Sequence, residues 1–161
     1  MDLNKTVAVV TGANRGLGRH LAAGLVERGA KVYAAARNPE TVDLPGVIPL
    51  RLDVTDAESI TAAAQIASDV TLLVNNAGIS TSAPLIGGDI DDIRREMDVN
   101  FYGPLAVTRA FAPVIENNDG GTILNVLSVL SWFHPAALGS YASSKAAAWA
   151  MLLALNGWRV F

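Results

Sequence analysis

A β-branched run that empties into glycines constrains this chain most. Thr6-Val7-Ala8-Val9-Val10-Thr11 is followed at once by Gly12, then by Gly16 and Gly18. The apolar run reads as a parallel strand buried on both faces. Beyond the glycines, Leu17, Leu21, Leu25 and Val26 recur at helical spacing up to Arg28, and Gly29 stands where a helix is capped. Strand, glycine loop and helix in that order give the pattern its meaning. Glycine lets the backbone turn tightly and lets a pyrophosphate come close, and the helix N-terminus presents free N–H groups to the anion. Thr11, Gly12, Asn14, Arg15, Gly16, Leu17 and Gly18 are therefore the first candidate contacts.

The same alternation continues down the chain. Further strands are expected at Lys31–Ala36, Val47–Leu52, Val70–Val74 and Thr122–Leu127, with long helices over 91–112 and 141–155. Five parallel strands with crossover helices make a doubly wound α/β sheet, three layers deep. A hydrophobic content of 51% suits strands covered on both faces, and 161 residues suffice for one domain with a proper core. The net charge of −3 gives no electrostatic reason to invoke nucleic acid or an anionic membrane. The apolar stretch Ala146–Leu155 is too short to span a bilayer. The sequence has no cysteine, which excludes disulfides and thiolate metal sites and fits a reducing cytoplasm. No metal site is expected.

The strand ends carry the next signals. Where a carboxylate would hold ribose hydroxyls, the second strand ends in Ala35-Ala36-Arg37. Arg37, with Arg15 from the glycine loop, could hold a 2′-phosphate through the forked guanidinium, which favours NADP(H) and leaves NAD(H) possible. The alternative is that both arginines are merely solvated surface groups. The third strand runs into Asp53-Val54. Asp53 can accept a hydrogen bond from an adenine amino group or belong, like Asp56, to the cap of the next helix. After the fourth strand, Asn75-Asn76-Ala77-Gly78 combines residues that tolerate unusual backbone angles with small ones that leave room for a ribose.

Tyr141 and Lys145 stand four residues apart, and Ser128 lies thirteen before the tyrosine. On a helix this spacing puts the phenol and the ammonium on one face, one turn apart. A free tyrosine titrates near pH ~10, and a neighbouring cation favours its ionised form. With a serine hydroxyl to hold a substrate oxygen, the three groups point to proton transfer to or from that oxygen.

Taken together, Thr11-Gly-x-x-x-Gly16-x-Gly18, Asp53-Val54, Asn75-Asn76-Ala77-Gly78, Asn100 in Asp98-Val99-Asn100, Ser128 and Tyr141-x-x-x-Lys145 resemble the short-chain dehydrogenase/reductase family in order and spacing. The resemblance implies a Rossmann-type fold and hydride transfer between a nicotinamide and a small-molecule carbonyl or secondary alcohol. It implies Tyr141 as general acid or base, Lys145 on the nicotinamide ribose and beside the phenol, and Ser128 on the substrate oxygen. Asn100 would hold a water in a proton relay, or else stabilise a kink in its helix. Asn76, Ala77 and Gly78 would line the cofactor. The family also continues through a sixth strand, a Pro-Gly turn, a substrate loop and a seventh strand. Residues 156–161 faintly resemble the start of that sixth strand, so the chain is expected to lack the last two. A homodimer through helices 91–112 and 141–155 is a further expectation. Two functions follow: an NADP(H)-dependent oxidoreductase, or an impaired relative that binds only nucleotide or a partner chain.

Other residues carry less. Ser131 is a possible substrate contact or a plain loop hydroxyl, and His134 a loop histidine. The segment from Trp132 to Leu138 reads as an apolar pocket wall, and Trp149 and Met151 as packing residues of the last helix.

Overall fold

The computed structural model describes residues 2–155. Its strands are β1 (Val7–Thr11), β2 (Lys31–Ala36), β3 (Ile48–Arg51), β4 (Leu72–Asn75) and β5 (Thr122–Asn125). The helices are α1 (Gly16–Val26), α2 (Ala57–Ile66), α3 (Ile90–Met97), α4 (Gly103–Asn117) and α5 (Gly139–Leu155). All strand pairs are parallel, in the order β3-β2-β1-β4-β5. The fold is the expected Rossmann-type sheet of five strands. The expected start of a sixth strand at residues 156–161 lies outside the described residues.

Successive residues of the inner strands are buried on opposite faces of the sheet and build two cores. Val9 and Leu73 face one side, where Val107, Phe111 and Ile115 of α4 and Ile60 and Ala63 of α2 cover them. Ala8, Val10, Leu72 and Val74 face the other, against Ala22 of α1 with Leu21 and Leu25. Val9, Leu73, Phe111 and Ile115 are fully buried. Each contributes roughly 1.5–3 kcal/mol relative to exposure, before the cost of ordering the chain.

The helices start where their sequences provide caps. The carboxylate of Asp56 accepts from the Glu58 amide at 3.0 Å and opens α2. Asp89 does the same for Asp91 at 2.9 Å and opens α3. Asp91 and Asp92 then occupy the first turn of α3, and Arg94 and Arg95 the last, which matches the helix dipole. No side chain caps α1.

Three strands are shorter than their apolar runs. β3 carries Pro49, whose missing N–H is tolerated because β3 is a sheet edge. β5 ends at Asn125 rather than Leu127, because β4, its neighbour, leaves the sheet at Asn75. For the same reason of pairing, β4 begins at Leu72, opposite Ala8. The long helix expected over 91–112 is present, but it is α3 and α4 joined by a π-helical turn, Asp98–Tyr102, in which the Gly103 amide reaches back five residues to the Asp98 carbonyl. Asn100 sits inside that turn.

Candidate active site

The strand order reverses between β1 and β4, so the loops leaving their C-terminal ends part there and leave a crevice. A cavity of about 460 Å³ occupies it. Gly12, Asn14, Arg15, Gly16, Leu17 and Gly18 form one wall. Arg37, Asp53 and Val54 line the far end, and Asn76, Ala77 and Gly78 the near end. Thr11, expected with them, lies behind the wall. It is buried, and its hydroxyl accepts from the amides of Asn76 and Ala77 at 2.9 and 3.0 Å and donates to the Val74 carbonyl at 3.3 Å. Thr11 therefore fixes the two loops rather than facing the cavity. Asn38, Thr41, Thr55, Ile79 and Val99 also line it. No sequence signal marked them, because their place depends on how the loops fold back.

Two glycines are required by this geometry. Gly16 has φ of +54°, and a β-carbon there would meet no protein atom within 4 Å, so the space beside it is open. Gly18 is the opposite case, since a β-carbon would run into the Gly12 carbonyl and the Asn76 side chain. Asn76 is held there by its amide, which donates to the Thr11 carbonyl at 2.8 Å. The uncapped first turn of α1 faces the same cavity and leaves its N–H groups for an anion. These features fit a dinucleotide pyrophosphate.

Charge is distributed unevenly around the cavity. Arg15 and Arg37 are exposed, and among the described residues neither is in an ion pair. Arg19, close in sequence, is paired with Asp43 at 2.8 Å. The two readings of Asp53 are separated by its bonds. Asp56 caps α2, while Oδ1 of Asp53 accepts from the amide and hydroxyl of Thr55 at 3.0 and 2.8 Å. Asp53 lines the cavity without capping the helix.

Beyond Gly78 lie the chemical residues. A β-carbon on Gly78 would stand 3.2 Å from Oδ1 of Asn100 and 3.6 Å from Nζ of Lys145. Lys145 is buried, and its ammonium donates to the Val126 carbonyl at 3.1 Å. Burial pushes its pKa below the ordinary lysine value. The ammonium lies 5.8 Å from the centre of the Tyr141 ring, so α5 does put the two on one face. Ser128 caps a single turn, Val129–Ser131, accepting from the Leu130 amide at 3.2 Å, and that turn packs against α5. Its hydroxyl proton stays available to a ligand. Ser131, expected as a possible substrate contact or a plain loop hydroxyl, is buried, and among the described residues its oxygen has no partner. Trp132 meets Trp149 edge to face at 4.7 Å, which confirms Trp149 as a packing residue.

The loop after β4 is fastened to the helices by three buried side chains. Asn100 accepts from the Ile79 amide and donates to the Ile79 carbonyl, both at 2.9 Å, and also donates to Ser144 at 2.9 Å. Ser144 passes the contact on by donating to the Tyr141 carbonyl at 2.8 Å. Glu96 accepts from the amide and hydroxyl of Thr81, and Ser140 donates to the Ala83 carbonyl at 2.7 Å. The Asn100 side chain is thus a clamp between the β4 loop and α5. Among the described residues no cluster of three His, Asp or Glu could hold a metal ion, and no helix is long and apolar enough to cross a membrane.

Comparison with known proteins places these features. The family described as short chain dehydrogenase matches residues 6–157. An NADPH-dependent 1-acyldihydroxyacetone phosphate reductase of Schizosaccharomyces pombe is 37% identical over 155 residues, covering 91% of this chain and 52% of the relative. Galactitol 2-dehydrogenase of Agrobacterium fabrum is 34% identical, over 91% of this chain and 62% of its own. The chain thus spans about half the length of the curated relatives it matches. Among solved structures, a short chain dehydrogenase of Burkholderia cenocepacia in complex with NADP superposes with a TM-score of 0.93 at 43% identity, covering 98% of this chain and 68% of that one. A gluconate 5-dehydrogenase from the same organism, in complex with NADP and tartrate, gives 0.88 at 29% identity, over 98% and 69%.

Proposed function

This chain belongs to the short-chain dehydrogenase family, and we propose that it is an NADP(H)-dependent oxidoreductase interconverting a carbonyl and an alcohol. The observation that carries the reading is the junction at Gly78, which lines the cavity and stands beside the side chains of Asn100 and Lys145. A dinucleotide lying along the cavity would bring its reactive end to the face of α5 that carries Tyr141.

When bound, the nicotinamide supplies hydride chemistry. The remaining work falls to this chain's side chains. Arg15 and Arg37, exposed and without acidic partners among the described residues, would take the 2′-phosphate through charge-assisted bonds. The free first turn of α1 would hold the pyrophosphate. Asp53 keeps an oxygen for the adenine end, its other one being used on Thr55. Ser128 would donate its free hydroxyl proton to the substrate oxygen, and Tyr141 would give a proton to that oxygen in reduction or take it in oxidation. Lys145 would bond the ribose and keep positive charge beside the phenol. The NADPH-dependent relative and the NADP complex support the choice of cofactor.

Tyr141→Phe tests the acid role. The variant should bind NADPH with the affinity of the parent chain and lose turnover by about 10²-fold or more against a panel of ketones and aldehydes, read as oxidation of NADPH. Turnover equal to the parent's would remove Tyr141 from the chemistry.

A further inference from the structure

Arg37, Asn38 and Thr41, at the end of β2 and in the loop after it, line the cavity together with the glycine loop, and two side-chain links tie the two segments together. The Asn14 amide donates to the Thr41 hydroxyl at 3.1 Å, and Arg19 pairs with Asp43 at 2.8 Å. Both links join the same two segments, the start of α1 on one side and residues 41–43 on the other. Thr41 is the hub. Its hydroxyl accepts from Asn14 and donates to the Asn38 carbonyl at 2.6 Å, and its own amide donates to that carbonyl at 3.1 Å. A hydroxyl has one proton, so Thr41 has none left for a ligand. It shapes the wall instead. Arg37 and Asn38 stand at the root of this loop, and Arg15 follows Asn14 directly, so the link joins the two segments that carry the arginines.

We propose that Thr41 is a positioning residue for nucleotide selection, holding the two walls at the separation at which Arg15 and Arg37 grip one 2′-phosphate together. The inference rests on the NADP(H) reading above. A phosphate held by two guanidiniums on separate segments is sensitive to the gap between them, whereas a ribose without the phosphate is not. Breaking the link therefore weakens binding of the phosphorylated ligand selectively.

Titration calorimetry with 2′,5′-ADP and with 5′-ADP reads this directly, because both ligands probe only the adenine end and neither needs turnover. The parent chain should bind 2′,5′-ADP the more tightly. Thr41→Val should weaken 2′,5′-ADP about three- to tenfold, leave 5′-ADP within about twofold, and so collapse the ratio. Thr41→Ser, which keeps the hydroxyl, should restore it. A Thr41→Val variant with the parent's ratio, or one that loses both ligands equally, overturns the role of Thr41 and leaves the NADP(H) reading standing. A parent chain that binds neither ligand, or both alike, overturns that reading and this inference together.

Discussion

Replacing Asn100 by alanine isolates what the π-helical turn is for. The side chain is 1% exposed and makes three hydrogen bonds, two to the backbone of Ile79 and one to Ser144. At about 1 kcal/mol net per bond the loss is roughly 3 kcal/mol. Groups left unpaired in a partly buried setting raise it, giving about 3–5 kcal/mol. Against a total stability on the order of 5–15 kcal/mol, that is a large share. With a urea dependence of about 2 kcal/mol per molar, the midpoint should fall by about 1.5–2.5 M. Urea denaturation followed by circular dichroism measures this, and amide exchange at Ile79 should lose its protection in the same variant. A change below about 1 kcal/mol, with Ile79 still protected, would refute the clamp and return Asn100 to the role of a group that only holds water.

Two further perturbations follow from the same geometry. Gly18→Ala places a methyl against the Gly12 carbonyl and the Asn76 amide, so it should cost about 1–3 kcal/mol in denaturant melts and weaken NADPH at least tenfold by titration. Lys145→Met tests the buried ammonium. Because burial lowers the folded pKa of Lys145 below its ordinary 10.5, the folded state binds fewer protons than the unfolded one between those two values, and stability from this group rises with pH across that window. The variant should lack that rise, so any advantage it holds near neutrality shrinks as pH approaches 10.5, which melts over a pH series would show. A constant difference between the two chains would contradict the assignment.

The nucleotide half of the site was legible because its signals are local. Gly16 and Gly18 are demanded by the path of one loop, and α1 follows immediately, so six neighbouring residues already specify a cradle. Tyr141 and Lys145 were legible for the same reason, since helical spacing alone places them on one face. What was hidden depends on long-range partners. The π-helical turn leaves no mark in the periodicity of residues 90–117, because it exists to aim Asn100 at Ile79, 21 residues away. Thr11 looks like a cavity residue from its place in the glycine motif, yet its hydroxyl is consumed by Asn76 and Ala77. Thr41 and Asn38 lie in a polar loop that resembles any other until Asn14 is seen to hold it. The apolar runs overreach at the start of β4 and at the end of β5, because pairing, not apolarity, decides where a strand starts and stops.

Arg15 and Arg37 would make the nucleotide site selective for the 2′-phosphate. A thermal-melt titration of the 161-residue chain with NADPH and, separately, NADH tests it most directly. At a hundred times its dissociation constant a ligand adds about 2.7 kcal/mol, so NADPH should raise the melting temperature by several degrees while equal NADH moves it little. Equal shifts with both would contradict the assignment of Arg15 and Arg37, and no shift with either would contradict the nucleotide site itself.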